Sequence, residues 1–183
     1  SIRRQRQMCI RDSIGKVDAL GLVGYGGGVV RKDTLLYVLS GNYGLQIFNI
    51  INPTNPRELG RLPILGYHQD LAVKDSLVYV VGWDSLLRII NVANSTNPQQ
   101  IGSLKFNNDT WGVDVKDSFA YIANQTSGLR VVNVADPRNP REVGSIANWR
   151  ALEVFASGNL AFVAAGAAGL RIVDVRNPSN PQE

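Results

Sequence analysis

One short pattern returns four times in this chain at nearly constant spacing. The Asn-Pro pairs that end in Pro56, Pro98, Pro140 and Pro181 lie 42, 42 and 41 residues apart. Leu45, Leu87, Leu129 and Leu170 keep the same intervals, and so do the aromatics Tyr37, Tyr79, Tyr121 and Phe162. A unit of about 40 to 45 residues that holds several short apolar runs is the size of a four-stranded propeller blade.

Within the second unit the runs predict strand a over Leu71 to Lys74, strand b over Leu77 to Val81, strand c over Leu87 to Val92 and strand d over Ile101 to Phe106. Strands a and b are separated by two residues, Asp75-Ser76, matched by Asp33-Thr34, Asp117-Ser118 and Gly158-Asn159. Such residues tolerate the positive φ of a tight hairpin, so a and b are expected to pair antiparallel. Strand c is apolar on both faces: in Leu129-Arg130-Val131-Val132-Asn133-Val134, Leu129 and Val131 point one way while Val132 and Val134 point the other. That pattern belongs to a strand sandwiched between layers, as an inner blade strand is. The following Asn-Pro loop stops the strand, because proline fixes φ and has no N–H to pair.

The pattern Gly-Leu-Arg-Val-Val-Asn-Val-Ala-Asp-Pro-Arg-Asn-Pro at 128–140 and Gly-Leu-Arg-Ile-Val-Asp-Val-Arg-Asn-Pro-Ser-Asn-Pro at 169–181 resembles the LVIVD repeat family, over residues 17–183. The first repeat departs from it, with Gln46 for the arginine and Phe48-Asn49-Ile50 for the aliphatic run. The resemblance implies a β-propeller from a bacterial or archaeal surface or secreted protein, of a family whose members mostly lack an assigned activity. An extracellular or cell-surface location is expected on that ground alone.

The expected fold is therefore all-β, a propeller of four-stranded blades of about 42 residues, with blades near 29–62, 69–106, 111–147 and an incomplete 152–183. Leu20-Gly21-Leu22 resembles Leu59-Gly60-Arg61, so residues 17–24 are expected to form the strand d of a preceding blade. Either that strand closes the last blade into a four-bladed ring, or the repeats are a fragment of a larger propeller; the second is favoured. Residues 1–13 match nothing downstream, resemble a translated sequencing-adapter scar, and are set apart as a non-native or disordered leader.

The net charge of +4 is concentrated in that leader, where Arg3, Arg4, Arg6 and Arg11 face only Asp12. The +1 that remains gives no electrostatic footprint for nucleic acid. Cys9 is the only cysteine, which excludes an intrachain disulfide and cysteine-rich metal sites. No apolar run approaches a membrane span, and no signal-peptide pattern is present in this chain. No cofactor, metal ligand set or catalytic residue is assigned.

With His68 the only histidine, a hydrolase or lyase at the channel mouth could draw only on His68, Asp70, Asp109 and Arg150, which come from different blades. That enzyme reading is the alternative to a binding module. Asn49, Asn91, Asn133 and Asp174 recur at one position of strand c. Their side-chain oxygens are expected to accept backbone N–H groups of the following loop rather than to hold calcium. What breaks the repeat carries the functional signal. Alternating strand directions put the d-to-a connections and the b-to-c loops on one face, and all three tryptophans fall there. The expected binding residues are Trp83, Trp111 and Trp149 with Tyr67, His68, Asp70, Asp109 and Arg150, offered to a protein, peptide or glycan.

Overall fold

A computed structural model describes residues 26–183. The leader 1–13 and the expected strand remnant 17–24 lie outside the described residues. The rest forms fifteen strands in four antiparallel sheets that follow the repeat. The first blade holds β1 (Gly26–Lys32), β2 (Leu35–Ser40), β3 (Gly44–Asn49) and β4 (Arg57–Leu62). The second holds β5 (His68–Lys74), β6 (Leu77–Gly82), β7 (Leu86–Asn91) and β8 (Gln99–Lys105). The third holds β9 (Gly112–Lys116), β10 (Phe119–Ala123), β11 (Leu129–Asn133) and β12 (Arg141–Ile146). The fourth has three strands, β13 (Glu153–Ser157), β14 (Leu160–Ala164) and β15 (Leu170–Asp174). Gln182 pairs with Asp174 where β12 begins beside β11 in the third blade.

Local chemistry sets these elements. The first residue of each a-to-b turn is left-handed, at φ 54 in Asp33, 52 in Asp75, 52 in Asp117 and 58 in Gly158. Asn49, Asn91, Asn133 and Asp174 each accept the N–H two residues on, from Ile51, Ala93, Ala135 and Arg176, at 2.8 to 2.9 Å. These side chains therefore hold the start of the Asn-Pro loop, as expected. A bulge recurs between c and d, at Ile47/Phe48, Ile89/Ile90 and Val131/Val132. The first blade shares it despite its divergent sequence.

The blades pack face to face, with strand a of each against strand a of the next: β1 on β5, β5 on β9, β9 on β13. Three apolar layers fill the joints. Tyr37, Leu45 and Ile47 meet Leu71, Val80 and Ile90 in the first; Tyr79, Leu87 and Ile89 meet Val113, Ile122 and Val132 in the second. Tyr121, Leu129 and Val131 meet Val154, Val163 and Val173 in the third. Polar ties cross the same joints. Lys32 and Lys74 donate to the carbonyl of the turn Asp in the next blade, Asp75 and Asp117. Asp70 Oδ2 accepts from Val113 N at 2.9 Å, and Asp114 Oδ2 from Ala156 N at 2.7 Å.

Two-sided burial of strand c holds in the second and third blades and fails in the fourth. Val173 is buried, but Leu170 and Ile172 on the opposite face are exposed. A sequence repeat fixes which residues could be covered; a following blade has to be present to cover them.

Candidate functional site

The Trp83 loop is a tight turn in which Ser85 is left-handed at φ 62 and donates its N–H to Gly82 O. Trp83 N–H donates to Tyr67 O at 2.9 Å, and a Cβ at Gly82 would stand 2.2 Å from that same oxygen. Only glycine lets the two segments press together, and their rings meet as a result, with centroids 5.3 Å apart. From the third blade, buried Thr110 fastens the d-to-a connection to the second: its hydroxyl donates to Gly82 O at 2.8 Å and accepts Gly82 N–H at 3.0 Å. This sets Trp111 beside Trp83, centroids 6.4 Å apart and planes inclined by 29°. From the fourth blade, Ala151 N–H donates to Gln125 O, and the neighbouring Arg150 guanidinium lies 5.3 Å from the Trp111 ring centroid.

Four of the eight expected residues thus form one strip, Tyr67–Trp83–Trp111–Arg150, assembled from three blades. Tyr67 is 55% and Trp83 39% exposed, so the strip offers open aromatic surface with a cation at one end. Trp111 is half-buried, and its indole N–H meets no acceptor among the described residues.

The other four residues lie outside that strip. Trp149 is buried in the joint between the third and fourth blades, and its Nε1–H donates to Glu183 Oε2 at 2.8 Å. His68 is buried, with Nε2 2.9 Å from Ile64 O; burial pushes its pKa below the ordinary imidazole value. Asp70 supplies the tie to Val113 described above, and burial raises its pKa against the opposing effect of that hydrogen bond. Asp109 is half-buried, and its carbonyl, with that of Asn108, accepts from Asn124 Nδ2.

One pair at this site escaped the sequence reading. Arg130 and Arg171 of strand c reach Glu142 and Glu183 of the neighbouring chain segment at 2.9 and 2.8 Å. In the second blade the matching position is Gln100, and Arg88 turns instead to Asp84, next to Trp83. Gln100 in a column of glutamates was the available signal.

Four antiparallel blades, three of four strands and one of three, packed face to face about their first strands, define a propeller-like repeat protein with an aromatic strip on one end face. The LVIVD repeat model matches residues 65–105, 107–148 and 150–183. The chain belongs to the LVIVD repeat family. Similar solved structures include the computationally designed Ika4 protein, with a TM-score of 0.71 at 9% identity over 89% of this chain and 98% of that one. The designed Ika8 protein gives 0.68 at 9% identity, over 83% of this chain and 46% of that one. A functionally unknown protein from Desulfotomaculum acetoxidans gives 0.73 at 15% identity, over 94% and 59%. The chain thus spans about half the length of the last two, and at these identities the likeness shows the fold alone. No curated protein matches the sequence.

Proposed function

We propose that the chain is a non-catalytic binding module of a surface or secreted protein and takes a protein, peptide or glycan on the Tyr67–Trp83–Trp111–Arg150 strip. The observation that carries the reading is the convergence of these four side chains from three blades, with two rings left open to solvent. Core packing needs none of that exposure, and exposed aromatics beside an arginine are what recognition surfaces concentrate. Of the four groups on which an enzyme would draw, His68 lies within hydrogen-bond distance of Ile64 O and Asp70 accepts the Val113 N–H, both inside the scaffold.

Labelled protein screened on peptide and glycan arrays should give ligands whose affinity falls roughly tenfold or more in a Tyr67→Ala/Trp83→Ala variant. Far-ultraviolet circular dichroism should be unchanged, since both side chains are partly exposed. Undiminished binding by the folded double variant refutes the site.

A further inference from the structure

A polar column on strand c runs through all four blades, and the second blade departs from it. Arg130 and Arg171 donate through Nη1 to Glu142 and Glu183, and in the first blade Gln46 Nε2 reaches Glu58 Oε2 at 3.4 Å. The strand d partner keeps its register, Glu58 opposite Phe48 and Glu142 opposite Val132. Gln100 takes that place in the second blade, opposite Ile90, and carries no negative charge. Arg88 Nη1, the nitrogen that holds the glutamate in the two other arginines, meets no acceptor among the described residues.

The charge of Arg88 is balanced instead from the turn that carries Trp83. Its Nη2 donates to Asp84 Oδ2. At the places that match Asp84 the other blades have Asn42, Thr126 and Ala167, so the glutamate is missing and the aspartate present in the same blade. This pair is also the most enclosed of the three arginine pairs, the Arg88 side chain being 10% exposed against 21% for Arg130 and 36% for Arg171. Open ion pairs fix little; an enclosed, hydrogen-bonded one holds both side chains in one geometry.

Asp84 stands where that geometry counts. Its Oδ1 accepts the Leu86 N–H at 3.3 Å across the left-handed Ser85, and its Oδ2 borders the connection to Tyr67, since a Cβ at Gly66 would stand 3.5 Å away. We propose that Arg88 and Asp84 are positioning residues for the aromatic strip: with glutamine at position 100 the guanidinium is left to Asp84, and the ion pair fixes the turn on which Trp83 meets Tyr67 and Trp111. The inference rests on the strip being the binding site, but its first readout needs no ligand.

Near-ultraviolet circular dichroism reads the packing of Trp83 on Trp111. Asp84→Asn keeps the shape of the side chain and removes its charge, so the tryptophan signal should weaken. Spots that wild type binds on peptide and glycan arrays should lose about tenfold in affinity. Because a buried guanidinium is left unpaired, the urea midpoint should fall as well. Asp84→Asn/Gln100→Glu separates the two effects. It offers Arg88 a strand d carboxylate of the kind that Arg130 and Arg171 have, so the midpoint should return toward wild type while the tryptophan signal and the array binding stay low. A wild-type tryptophan signal in folded Asp84→Asn overturns the proposal. So does a double variant in which that signal recovers together with the midpoint, which would make the ion pair a source of stability alone. Arrays without a bound spot would refute the binding reading, and the tryptophan signal would still decide whether the pair positions the turn.

Discussion

Val131 and Ile172 occupy the same position on strand c of consecutive blades, yet Val131 is sealed in a joint and Ile172 stands half in solvent. Both belong to antiparallel hairpins with the same turn position and the same loop-holding oxygen, although β11 lies between β10 and β12 while β15 is the edge of a three-stranded sheet. The neighbouring blade differs as well. In the third blade Val143, Ile146 and the strand c residues are packed against the fourth, whereas Leu170 and Ile172 of the fourth are left exposed among the described residues. Burial in a repeat protein is a property of the joint, and each joint's free energy is shared between two units.

The largest effect should come from breaking that third joint through its backbone. Gly144 lies under the Asn-Pro loop of the fourth blade, and a Cβ there would stand 2.2 Å from Pro178 O. Gly60 and Gly102 have the same relation to Ser95 O and Pro137 O of the following loops. Backbone is on the receiving side, so the clash cannot be relieved by a rotamer. Gly144→Ala should cost on the order of 3 kcal/mol, measured by urea unfolding, with the loss concentrated in the fourth blade by hydrogen exchange. A cost near zero would mean that the loop does not rest on the strand.

Truncating the two equivalent aliphatic residues measures the comparison itself. Val131→Ala should lose about 1 to 3 kcal/mol through lost transfer energy and the residual cavity. Ile172→Ala in dilute protein should stay within about 0.5 kcal/mol of wild type, although it removes more carbon. Equal costs would remove the distinction between covered and open faces.

The smallest effect is a pH dependence in the covered part of the molecule. Burial holds the folded-state pKa of His68 below its unfolded value, so the unfolded chain binds the proton first as pH falls. The contribution of His68 is fully present above the unfolded pKa of about 6.5 and is lost progressively as pH falls toward the folded value, then levels off. Unfolding free energies at mildly acidic pH should therefore lie below those at neutral pH. A His68→Gln variant should lack that portion of the slope, and an unchanged slope would show that His68 is not its source.

Sequence reasoning reached far along the strands and stopped at the joints. Asp33, Asp75, Asp117 and Gly158 foretold their left-handed turns, and Asn133 its hold on Ala135 N–H, because those interactions span two residues. The aromatic strip was legible only in part. Position in the repeat placed Tyr67, Trp83, Trp111 and Arg150 on one end face. It gave Trp149 the same status, although that ring fills a joint and donates to Glu183 across 34 residues. Nor does Gly82, read alone, announce that Tyr67 O must approach it.

The chain's own pattern therefore determined the period, the four-strand unit, the turns and loop locks, and the family. These follow from backbone preferences and side chains within a few residues of one another. Only the tertiary structure decided which repeated positions are covered, which tryptophan faces solvent, and that Arg88 turns to Asp84 where Gln100 replaces a glutamate. Those outcomes depend on groups brought together from different strands and blades, up to about a repeat length apart in sequence, where burial and pairing are set by what the neighbouring blade supplies.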